Sequence, residues 1–115
     1  MEAAERESLY ASVLTLGEIR MGIELLTPSK KRTELEKWFQ SDLRDWFEGR
    51  ILPVDDPVAG RWGVLSAQAQ SKERPLPTID ALLAATALQH ELTVVSRNVN
   101  DFLVEGLNVI NPWET

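Results

Sequence analysis

The sequence contains no cysteine and only one histidine, which excludes disulfides, zinc–thiolate centres and cysteine nucleophiles. It is also short of positive charge. Twelve Lys and Arg stand against eighteen Asp and Glu, for a net charge of −6, the wrong sign for gripping a nucleic-acid backbone by bulk attraction. Any phosphate chemistry on this chain would need a cation. No apolar run approaches the roughly 20 residues of a membrane span. The acidic start MEAAERES has neither the basic region nor the apolar stretch of a signal peptide. A cytoplasmic protein without membrane contact is therefore expected. Glycine and proline are scarce as well, six of each, while 43% of residues are hydrophobic, the balance of a chain that folds. The sequence has no Walker loop, no G-x-G-x-x-G turn and no G-x-S-x-G elbow around Ser12, Ser66 or Ser96, so nucleotide cradling and acyl transfer have no support.

At 115 residues the chain is expected to be one domain over 1–115. Residues 9–14 (LYASVL) read as a short strand, and TLGEIRMGIELL switches to helical period, with Leu16, Ile19, Ile23 and Leu26 on one face. Thr15 is the expected cap, with Glu18 three residues on as its capping-box partner. Thr27-Pro28 opens a long amphipathic helix in which Leu35, Trp38, Phe39, Leu43, Trp46 and Phe47 recur at helical spacing and Gly49 marks the end. ILPV at 51–54 reads as a second strand. Asp56-Pro57 restarts a helix with Val58, Trp62, Leu65 and Ala69 on its buried side. After the polar loop SKERPLP, Thr78 is the expected cap of IDALLAATALQHE, a helix apolar nearly all round and hence expected to be buried. LTVVS at 92–96 and LNVI at 107–110 complete the strands. Strands alternating with helices predict an α/β fold with an open, mostly parallel sheet.

In such a sheet the segments after the strands converge on the carboxyl edge. Glu18 follows the first strand and Asp101 the third, and Asp80 opens a helix packed on the same sheet. With one histidine and no thiol, a ligand set here is oxygen-only, which suits Mg²⁺ or Mn²⁺. Each residue also has a plainer role open to it. Glu18 can be a capping-box acid, Asp80 a charge favouring a helix amino end, Asp101 an exposed loop acid and Asn98 a turn residue. His90 at a helix end is expected to be solvated, the aromatic set to pack in a core or interface, and Arg20, Arg61, Lys72, Arg74 and Arg97 to form a solvated surface.

Taken in order, SVLTLGEIRMGIELL, ILPVD with Trp62 in the following helix, PTIDALLAATALQHELTVVSRNVNDF and NVINPW resemble the PIN-domain ribonucleases, specifically the VapC-type toxins of bacterial toxin–antitoxin pairs, from about Leu9 to Trp113. The resemblance implies a three-layer PIN-like α/β fold and a Mg²⁺- or Mn²⁺-dependent endoribonuclease whose acids hold metal and activate water for attack on an RNA phosphodiester. The family's conserved glutamate falls on Glu18 and its central helix aspartate on Asp80. The last acidic position falls in SRNVNDF, on Asp101, with Asn98 replacing or assisting it.

The family also begins with a buried central strand ending in an Asp-Thr-Asn type motif, and nothing like it precedes Leu9. The sequence is therefore expected to be a truncated PIN-like domain lacking that strand and one active-site acid, weak or inactive as an enzyme. Direct pairing of the two inner strands or an intertwined homodimer is expected to close the gap. The functional alternative is a non-catalytic PIN-like module that holds an antitoxin or another copy of itself.

Overall fold

The computed structural model describes residues 9–96 and 102–112. The chain divides into two compact units, Met1–Pro53 and Val54–Thr115. The described strands pair in parallel, as expected for the α/β class, in two short sheets with one in each unit. Among the described residues no helix is long and apolar enough to cross a membrane.

In the first unit β1 (Ala11–Ser12) runs straight into α1 (Val13–Glu24). The strand is shorter and the helix begins earlier than the sequence suggests. The reason is Ser12, whose buried hydroxyl accepts the Leu14 amide at 3.0 Å and turns the backbone out of the strand. Ser12 is thus the cap in place of Thr15, and Glu18 is not the partner in a capping box there. Leu16 and Ile23 are buried and Ile19 is half-buried, as expected, but Leu26 lies past the end of α1 and is exposed.

The next helix, α2 (Lys30–Lys37), is capped by Ser29, which accepts from the Arg32 amide at 3.1 Å, and not by Thr27. Arg32 then ties the α1–α2 corner together. Its guanidinium bonds Glu24, Glu36 and the Leu26 carbonyl at 2.8 to 2.9 Å. The expected single long helix is interrupted, because Trp38–Leu43 winds as a π-helix before a last helical turn, Arg44–Trp46. A π-turn carries an extra residue, so side chains beyond it rotate away from α-helical spacing. Phe39 is buried with Leu16 and Ile23, whereas Trp38 is 39% exposed.

Trp46 and Phe47 meet edge to face with centroids 4.6 Å apart. Arg50 covers both rings, at 5.1 and 5.5 Å, and donates to the Leu9 carbonyl at 2.8 Å and to the Trp46 carbonyl. One side chain therefore joins the helix end to the start of β1, just where β2 (Ile51–Leu52) pairs with it in the register Ala11 to Ile51 and Ser12 to Leu52. Pro53 has no amide hydrogen to extend β2 further.

In the second unit α3 (Asp56–Ser71) is capped by Asp55, whose carboxylate accepts from the Val58 amide at 3.2 Å. The cap is one residue earlier than expected. α4 (Thr78–Gln89) follows Pro77, so Thr78 is its first residue and not its cap. The two helices pack through small side chains. Ala81, Ala84 and Ala85 are fully buried and meet Val58, Leu65 and Phe102, with Trp62, Leu83, Leu88 and Val94 around them. Of the expected α3 face Val58 and Leu65 are buried and Trp62 and Ala69 half-buried, and the apolar α4 buries its alanines while Ile79 stays 38% exposed. The indole N–H of Trp62 is buried without a hydrogen-bond partner. β3 (Val94–Val95) and β4 (Val109–Ile110) pair in parallel, the Val94 and Ser96 amides donating to the Asn108 and Ile110 carbonyls.

α3 and α4 end in the same way. At α4 the Leu92 amide bonds the Ala87 carbonyl and the Glu91 amide bonds that of Leu88, with Glu91 at φ 55°. At α3 Arg74 and Glu73 repeat the pattern, with Glu73 at φ 57°. These are Schellman endings that normally carry glycine at the left-handed residue. Glu91→Gly is therefore expected to stabilise the protein by about 0.5–1 kcal/mol after the entropic cost of glycine. A thermal melt checks it: a midpoint a few degrees higher is expected, and a lower one contradicts the strain argument.

Candidate functional site

Glu18 lies in the second turn of α1, next to Gly17, with its side chain exposed to solvent. Its position follows from the Ser12 cap, which fixes where the helix starts and so where its second turn falls. Asp80 is the third residue of α4 and is half-buried. The first turn of a helix presents unpaired amides and the positive end of the dipole, so a carboxylate is favoured there. α4 has no side-chain cap, and Asp80 is the acidic residue of its first turn. Its carboxylate thus occupies a favourable place on a helix that buries Ala81, Ala84, Ala85, Thr86 and Ala87.

Asn98 and Asp101 lie outside the described residues. Phe102, directly after Asp101, is buried in the core of the second unit, and Ser96, just before the same stretch, is held by the hydrogen bond its amide donates to the Ile110 carbonyl. Both flanks of the segment that carries these two candidates are therefore anchored. Among the described residues there is no group of three or more His, Cys, Asp or Glu side chains able to hold a metal. Glu18 belongs to the first unit and Asp80 to the second. The side chains of Glu18, Asp80, Asp101 and Asn98 offer carboxylate and amide oxygens only, the chemistry that hard ions such as Mg²⁺ and Mn²⁺ accept.

His90, at the carboxyl end of α4, is exposed, as expected of a solvated helix-end histidine. The dispersed basic residues are partly engaged: Arg20 pairs with Glu24 at 2.8 Å and Arg61 donates to Gln89 at 3.1 Å. A groove of about 480 Å³ in the first unit is not apparent from the sequence. Its floor is apolar, from Val13, Leu16, Phe39 and Ile51, and Arg20, Gln40 and Arg44 stand around it. Arg44 lies 5.3 Å over the Phe39 ring. Apolar spacing along a helix does not announce a π-turn, and the π-turn supplies Phe39 and Gln40 to this groove.

Comparison with known proteins adds the family. Residues 1–103 match the PIN domain. The chain is 36% identical to the toxin FitB of Neisseria gonorrhoeae over 107 residues, 93% of this chain and 77% of that protein. It is 32% identical to the VapC ribonuclease Y4jK of Sinorhizobium fredii over 114 residues, 99% of this chain and 81% of that one. The crystal structure of FitAcB from Neisseria gonorrhoeae superposes with a TM-score of 0.90 at 35% identity, covering 96% of this chain and 79% of that one. The order of strands and helices, the burial of the alanine-rich α4 behind Asp80 and these extended identities agree, and the chain belongs to the PIN-domain family, among its VapC-type toxins.

Proposed function

We propose that this chain is a metal-dependent endoribonuclease toxin of a type II toxin–antitoxin pair, weak in activity as it stands, acting on RNA in the cytoplasm, restrained by a cognate antitoxin protein and assembling as a homodimer. The observation that carries the proposal is the identity of 32–36% over 93–99% of the chain to a toxin and a VapC ribonuclease. The placement of Asp80 in the first turn of the buried α4 supports it.

The residues that would hold the ion are Glu18, Asp80 and Asp101, with Asn98 assisting. Bound Mg²⁺ or Mn²⁺ supplies a lowered pKa for attacking water and positive charge against the phosphodiester. The chain's own part is to set the acids. The Ser12 cap fixes the start of the helix bearing Glu18, and close packing of Ala81, Ala84 and Ala85 holds the helix bearing Asp80. A net charge of −6 also favours a basic partner at the acids over a bare RNA chain, as an antitoxin that blocks the site requires.

Titration calorimetry with Mn²⁺ tests the ligand assignment. Glu18→Gln keeps the size and helical preference of the side chain while removing its charge, and is expected to weaken Mn²⁺ binding by about 10-fold or more. Because Glu18 is exposed, its thermal midpoint should stay within a degree or two of the parent. Equal Mn²⁺ affinity in the two proteins would remove Glu18 from the site.

A further inference from the structure

We draw no further inference here: the strongest candidate, the groove of the first unit between α1 and the π-turn, floored by Val13, Leu16, Phe39 and Ile51, is an unpartnered apolar face, and nothing in the structure shows what covers it.

Discussion

Asp80→Asn is expected to slow cleavage of a structured RNA by at least about 100-fold at a fixed Mn²⁺ concentration, because losing a charged oxygen from a metal cluster costs orders of magnitude in rate. The substitution preserves shape. It exchanges one carboxylate oxygen for an amide and removes the negative charge that the proposed ion needs. Asp80 gains from the positive end of α4, an effect of about 0.3–1 kcal/mol at a helix amino end, and the packing behind it through Ala81, Ala84 and Ala85 is unchanged. A melt run beside the assay separates the two contributions, since a midpoint lowered by only a few degrees cannot account for a hundredfold loss of rate. Cleavage at the parent rate by a folded Asp80→Asn protein would exclude Asp80 from the chemistry.

Phe102→Ala should produce the largest loss of stability of any single truncation in the second unit, about 3–5 kcal/mol, measured as a lower midpoint in urea. Phe102 is 6% exposed and meets Val58, Leu65 and the α4 alanines. The small side chains across from it are already in contact and cannot grow to fill the space a ring leaves behind. Phe102→Leu, which retains most of the volume, should cost less than half as much. Phe102 also directly follows Asp101 in the chain, so the alanine variant should lose Mn²⁺ affinity together with stability. A loss below about 1 kcal/mol for Phe102→Ala would mean that the second unit is not built around this ring.

The parts of the fold that were legible in the sequence are those governed by helical periodicity over several turns. Val58 and Leu65 are buried and Trp62 packs half-buried between them in spacing, and the alanines of the apolar run from Ala81 to Leu88 enter the core as its composition suggests. Helix starts were less legible, because adjacent residues of similar capping ability compete. Ser12 took the cap from Thr15, Ser29 from Thr27 and Asp55 from Asp56, each choice settled by which oxygen reaches an amide two or three residues on. The π-turn at Trp38–Leu43 was not legible at all. Its apolar residues satisfy an α-helical pattern on paper, and only packing of Phe39 against Leu16 and Ile23 distinguishes the two windings. The glutamates at the ends of α3 and α4 were equally hidden, since glycine is the residue that normally signals such an ending.

Of the candidate acids, Glu18 and Asp80 lie on α1 and α4 as periodicity indicates, because each falls within a helix whose existence that periodicity secures. The pairing of strands in parallel was likewise expected from the alternation of elements. What the pattern of acids could not convey is the apolar groove beside α1, which depends on residues brought together from α1, the π-turn, Arg44 and β2.

The measurement that bears most directly on the proposed activity is cleavage of a structured RNA by the parent chain as Mn²⁺ is raised from zero, with a final addition of EDTA. The proposal predicts no cleavage without metal, slow cleavage that saturates with Mn²⁺, and its arrest by the chelator. Cleavage that proceeds unchanged in EDTA, or none at any Mn²⁺ concentration, would contradict it, and the second of these results would favour a PIN-like module that binds without cutting.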